Sequence, residues 1–353
     1  MDINEVDKIM QERIVKFNSF VMQQDIEKMP VGLFNGKIGI SIFFYHQARL
    51  YNNKKYEQFA RKLISSIYNQ LNTKSIINLE DGLVGICLGI MYLIENKYIV
   101  GNINSILKEL DEKIYHTMTF NLTNSHSNSE ETMRTIIEVA LYCTFRLNDM
   151  RLSKEDRFIF ESLIIKAINY TDTALYYSDR LNEPYSYSFT DYLLPNYLYL
   201  LSLVYNHNFY NYKIEKQISE IKITSIIPQL NSNRMLLALS LEQLPSELKS
   251  LKINKHIDIL NNNTDIEYII QSEFRNKNLL LANGLCGLYF QQKLVFNKNR
   301  LPSELILKKI TESELWDDVY KDIYKLNATL GLFTGMGGII FIYQKIIKSY
   351  LSK

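Results

Sequence analysis

The chain has 353 residues, of which 46% are hydrophobic and 22% charged, and its formal net charge is +2. This balance supplies ample apolar surface for a core and marks neither a nucleic-acid partner nor a strongly anionic one. The three cysteines, Cys87, Cys143 and Cys286, stand far apart without C-x-x-C spacing, which suits free thiols in a reducing compartment and excludes a disulfide framework.

The opening residues Met1-Asp2-Ile3-Asn4-Glu5 show no basic-then-apolar signal pattern. No apolar run reaches the ~18 residues that a membrane span needs. A cytoplasmic protein with no transmembrane segment is therefore expected. Ile9, Met10, Ile14, Val15, Phe17, Phe20 and Val21 then recur at helical spacing and predict a first helix that ends before Pro30. After it comes Gly32-Leu33-Phe34-Asn35-Gly36-Lys37-Ile38-Gly39, a glycine-spaced turn that runs into an apolar helix. The design recurs at Gly82-Leu83-Val84-Gly85, at Gly284-Leu285-Cys286-Gly287, and in the stretch from Gly331 through Gly335 to Gly338. A repeated loop-to-helix unit defines an architecture.

Between these turns the helices alternate in character. Helices apolar almost all round are predicted to begin near Ile38, Val84, Thr132, Asp191, Asn233, Leu285 and Met336. Helices with a single apolar stripe lie between them, at 54–71, 104–120, 154–177, 212–223, 246–259 and 303–311. The first kind is buried and the second half exposed. Period-two alternation is rare, so strands are not expected. The Asn/Ser-rich segment 121–130 reads as a loop, and no stretch reads as an interdomain linker. The economical packing is an all-α double ring, an α,α-toroid, with buried helices inside and amphipathic ones outside, in about seven hairpins. An open solenoid would leave its end helices half bare. One domain, 1–353, is expected. The glycines are read first as packing residues that let the backbone fold back and the inner helices approach.

Gly-Leu-x-x-Gly-x-x-Gly turns, each opening a buried helix at this spacing, resemble those of the lanthionine synthetase C-like (LanC-like) proteins. Leu281-Ala282-Asn283-Gly284-Leu285-Cys286-Gly287 is the strongest single match, and the resemblance covers essentially the whole chain. It implies an α,α-toroid of seven inner and seven outer helices. It also implies a role in the maturation of ribosomally made, lanthipeptide-type peptides, with a precursor peptide or a modifying enzyme such as a dehydratase as partner. Cyclases of that family close thioether rings with a zinc ion held by two cysteines and a histidine, which activates the substrate thiol.

Carried onto this chain, the family's Cys-His-Gly falls on Ala282, Asn283 and Gly284. Its second cysteine falls in 229–234, Gln-Leu-Asn-Ser-Asn-Arg, and no cysteine stands anywhere between Cys143 and Cys286. Alanine has no donor atom, and neutral asparagine is a poor zinc ligand. No metal site and no cofactor are therefore expected, and zinc-dependent cyclisation is not. The family's histidine before a proline falls on Tyr192, in Tyr192-Leu193-Leu194-Pro195-Asn196, and its aspartate before the second glycine turn falls on Asn78. Tyr192 keeps a proton to donate, whereas Asn78 only hydrogen-bonds. Thioether closure without a metal, by positioning alone, stays open.

Among the remaining candidates, Cys286 and Cys87 read as core residues. The five histidines are scattered, with no metal-ligand spacing. Because α,α-toroids also carry glycan hydrolases and lyases, Asp81 and Asp191, each just before a buried helix, are the alternative catalytic carboxylates. Their bland reading is helix capping. The loop 181–190 carries Tyr185 and Tyr187 and reads as a peptide-contacting rim, because tyrosine pairs a flat apolar face with a hydroxyl. Asn78, Tyr185, Tyr187 and Asn283 are thus the expected substrate-binding residues, and Tyr192, Asp81 and Asp191 the expected catalytic ones.

Overall fold

The computed structural model describes residues 3–71, 76–124, 129–177, 183–318 and 330–351. Among them no strand occurs. In chain order the α-helices are α1 (Ile3–Met22), α2 (Lys37–Tyr51), α3 (Lys54–Gln70), α4 (Leu83–Glu95), α5 (Ile103–Asn124), α6 (Glu130–Leu147), α7 (Lys154–Tyr177), α8 (Leu193–Asn206), α9 (Asn211–Glu220), α10 (Asn231–Gln243), α11 (Leu251–Asn262), α12 (Ile266–Tyr268), α13 (Leu285–Phe290), α14 (Ser303–Thr311), α15 (Leu315–Asp318) and α16 (Met336–Leu351). None of the described helices is long and apolar enough to cross a membrane. The segment expected as a loop at 121–130 is shorter than that, since α5 continues to Asn124 and Ser129 caps α6 by accepting the Thr132 N–H.

The contacts fall into two compact units. The first comprises Met1–Val100, Ile270–Gln291 and Asn299–Lys353; the second comprises Gly101–Ile269 and Gln292–Lys298. Each shows the alternation expected from the sequence. In the first, nine consecutive residues of α2 from Lys37 are buried, and Gln47 with them, and α4 buries nine of its thirteen residues. Its companion α3 buries only Phe59, Ala60, Leu63, Ser66 and Ile67, one stripe at helical spacing. In the second, α8 and α10 bury nine residues each, while α9 buries Ile214, Gln217 and Ile218 and α11 buries Ile253, His256, Ile257 and Leu260.

The buried helices are neighbours in series. In the first unit α13 packs on α16, α16 on α2, and α2 on α4, with α3 outside α2 and α14 outside α16. The last helix of the chain therefore lies against the second, and the chain's two ends close on each other. In the second unit α6 packs on α8 and α8 on α10, with α7 outside α6 and α11 outside α10. Close approach of inner helices needs glycine at one point above others. A Cβ on Gly89 of α4 would stand 2.3 Å from Ile38 Cγ1 of α2.

A buried ion pair stiffens the second unit. Arg146 of α6 is almost wholly enclosed; its Nη2 donates to Asp111 Oδ2 of α5 at 2.9 Å and to Asn104 Oδ1 at 3.0 Å. The Tyr142 hydroxyl donates to the other oxygen of Asp111. Both charges are thus matched and hydrogen-bonded, the condition under which such a pair is tolerated inside a protein.

Candidate functional site

The glycine turns of the first unit are built alike. The N–H of the first helical residue reaches back seven residues: Lys37 to the Pro30 carbonyl at 2.8 Å, Leu83 to Ile76 at 2.9 Å and Leu285 to Asn278 at 2.9 Å. This fixes the structural register. Gly36, Gly82 and Gly284 are equivalent, each preceding its helix as the cap residue. Gly82 thus matches Gly36, and Leu79 matches Leu33. Inside the turn the backbone is folded so tightly that a Cβ on Gly85 would lie 2.0 Å from the Leu79 carbonyl oxygen.

Main-chain bonds join four turns in a row. Ala282 N–H donates to the Phe333 carbonyl at 2.9 Å, and Phe333 N–H to the Phe34 carbonyl at 2.9 Å. Leu33 and Phe34 N–H both donate to the Glu80 carbonyl, at 2.8 and 3.0 Å. Phe34 and Phe333 stack at 4.3 Å with their planes 8° apart, and both are buried. The side chains just before each cap glycine, Asn35, Asp81 and Asn283, mark the rim. Asp81 and Asn283 are exposed there. Asn78 is half-buried, and its Oδ1 accepts the Asp81 N–H at 3.0 Å, so its side chain helps to shape the turn. Asp81 does not cap α4, because Gly82 holds that position.

In the second unit a loop carboxylate organises the start of α10. The Glu183 carboxylate caps α10. Oε1 accepts Leu230 N–H at 2.7 Å and Asn233 Nδ2 at 3.0 Å, and Oε2 accepts Gln229 N–H. Asn233 Nδ2 also reaches the Pro184 carbonyl at 3.4 Å. A carboxylate at a helix N-terminus meets unpaired N–H groups and the positive end of the helix dipole. No motif announces such a cap, since Glu183 lies more than forty residues upstream of the helix it closes.

The predicted residues here behave differently from one another. Tyr185 is fully exposed, as a rim residue should be. Tyr187 is not at the rim: it is buried, because the chain turns inward ahead of α8. Residues 181 and 182 of the expected rim lie outside the described residues. Tyr192 is the residue before α8 and is also buried. Its hydroxyl has no hydrogen-bond partner, and burial, followed by the Glu183 carboxylate, pushes its pKa well above the usual phenol range. The group therefore stays protonated and offers a donor. Pro195 sits in the first turn of α8, where no intrahelical N–H is missed. Asp191 does not cap α8; it is exposed and forms an ion pair with Arg134 of α6.

Residues 27–192, just under half of the chain, match the family model described as lanthionine synthetase C-like protein. Over that stretch the chain is similar to LanC-like proteins. Among solved structures, one described as nisin cyclase shares the fold with a TM-score of 0.58, covering 97% of this chain and 95% of its own, at 15% sequence identity. The fold class is the α,α-toroid expected from the helix alternation. No curated protein matches the chain by sequence.

Zinc, which that similarity implies, needs thiolate or imidazole donors at the matched positions. At the turn ahead of α13 the backbone is intact, yet Ala282 offers no donor and Asn283 only a neutral amide. In the stretch 229–234 at the start of α10 no cysteine or histidine stands, and the Asn233 amide is turned to Glu183. Cys286 is fully buried, and burial pushes its thiol pKa up, so it stays a neutral core residue. Cys87 and Cys143 are buried likewise. Of the histidines, His256 is buried, with Nε2 3.0 Å from the Ile226 carbonyl. Among the described residues no group of three or more His, Cys, Asp or Glu is placed to hold a metal ion. The residues at the matched positions do not fit zinc.

Proposed function

We propose that this LanC-like protein serves the maturation of a ribosomally made, lanthipeptide-type peptide by binding the precursor peptide, or a modifying partner such as a dehydratase, without zinc chemistry. The observation that carries this reading is the turn ahead of α13. Its cap geometry and its bond to Phe333 are in place, while the two ligand positions hold Ala282 and Asn283. The scaffold of the family is kept and the metal donors are not.

The contact surface we assign is the exposed Tyr185, on a loop anchored to α10 by Glu183. An anchored loop holds an aromatic face ready at small entropic cost, which is what an extended peptide needs. Any catalytic contribution falls to the protonated Tyr192 hydroxyl, a donor held near Glu183. Addition of a peptide thiol to a dehydroamino acid gains from orientation alone.

Two measurements on the untagged protein test the proposal together. Elemental analysis is expected to give far less than one zinc per chain. Titration with a Ser/Thr/Cys-rich precursor peptide is expected to saturate, and to weaken in Tyr185→Ala. One zinc per chain, or peptide affinity indifferent to Tyr185→Ala, refutes it.

A further inference from the structure

A second site lies at the other end of the first unit's inner helices. The glycine turns open α2 and α4; the cleft in question lies where those helices finish, about 22 Å further along a fifteen-residue helix. It has a volume of about 300 Å³ and is lined by the end of α2, the start of α3 and the residues after α4. Its charge is one-sided. Arg49, Lys54 and Lys97 line it, and the one carboxylate, Glu57, is held by Arg61 at 2.6 Å.

The cleft is also built. The Arg49 guanidinium sits 3.6 Å above the Tyr98 ring, and its Nη2 donates to the Asn96 carbonyl at 2.7 Å. Held from two sides, it presents a fixed fork of donors. Tyr45 lines the same cleft, is 2% exposed, and its hydroxyl has no hydrogen-bond partner. A buried hydroxyl left without a partner costs free energy that a ligand oxygen would return. The first turn of α3, a seventeen-residue helix, adds the positive end of its dipole.

We propose that this cleft binds a phosphoryl group, free or as a small phosphate monoester, with Arg49, Lys54 and Lys97 neutralising its charge and the Tyr45 hydroxyl donating to one oxygen. Several cations around a polar donor suit a group with three terminal oxygens and close to two negative charges, and exceed what a carboxylate requires. The site is independent of the peptide-binding reading above.

Calorimetric titration of the full-length protein with inorganic phosphate, AMP, phosphoserine and succinate tests it. Saturable 1:1 binding of at least one phosphorylated probe is expected, weaker at higher salt. The tightest of the three phosphorylated probes shows what carries the phosphate. Arg49→Gln and Lys54→Gln should each lower that affinity about tenfold. Tyr45→Phe should lower it several-fold. Lys54 is exposed and covers the case in which Arg49→Gln disturbs the fold. No saturation with any phosphorylated probe, affinity unchanged in Lys54→Gln, or succinate bound as tightly as inorganic phosphate overturns the proposal.

Discussion

Gln47 and Gln344, 297 residues apart, exchange two amide hydrogen bonds: Nε2 of Gln47 to Oε1 of Gln344 at 2.8 Å, and the reverse at 3.1 Å. Both are buried, between α2 and α16. Asn18 of α1 joins them at 3.4 Å, and the Tyr343 hydroxyl beside them donates to Asp7 at 2.7 Å. α2 and α16 are thus joined by a matched pair of amides within a small buried polar cluster. Apolar packing tolerates sliding, whereas this pairing accepts one register only.

Replacing Gln47 by leucine removes both of its bonds to Gln344, whose Nε2 keeps only the Tyr51 hydroxyl at 3.3 Å, and should cost about 1–3 kcal/mol. The double variant Gln47→Leu/Gln344→Leu removes both partners and should cost less than the sum of the two single changes. Urea denaturation of the four proteins checks this; strict additivity would show the pair to be uncoupled.

His46 makes the first unit acid-sensitive. Burial, then the positive charges of Lys345 and Arg49, lowers its pKa to about 4 from 6.5. Because the folded value is the lower one, the unfolded chain takes up the proton first as pH falls. The stabilisation is complete above pH 6.5 and drains away between 6.5 and 4. The loss is on the order of 3 kcal/mol at most. His46→Phe should lose less stability than the wild type between pH 7 and pH 4.5, read from urea midpoints at each pH.

The Tyr192 hydroxyl is buried without a partner. Tyr192→Phe should therefore leave the thermal midpoint unchanged or raise it, while weakening precursor-peptide binding or processing. A stability loss above about 1 kcal/mol would mean that the hydroxyl is satisfied within the fold.

Asp111 faces Arg146 with almost no water to share the charge. Asp111→Asn should cost about 3–5 kcal/mol, because it leaves a buried guanidinium uncompensated. Replacing Arg146 by methionine in addition should recover much of that loss, which chemical denaturation would report.

The architecture was legible because it rests on local signals. Each of the seven helices expected to be buried is present, and the four glycine turns announce their own close packing. The site was less so. Glu183 acts on α10 and Arg134 on Asp191 across separations of 47 and 57 residues, and such pairings leave no mark in local periodicity. Tyr187 looked like a rim residue because tyrosine suits both an inside and an edge; only the course of the chain decides between them. The register of the second turn was hidden for a related reason. Gly82-Leu83 reads like Gly32-Leu33, yet the Leu83 bond to Ile76 pairs Gly82 with Gly36.

The bonds between the turns are made by main-chain groups, so they are blind to side-chain identity. Ala282 needs only an N–H to reach Phe333, and any residue but proline supplies one. The exposed Asn283 is equally unburdened. Positions 282 and 283 therefore behave like interchangeable sockets: chemistry could be removed from them, or installed, without the frame having to be rebuilt.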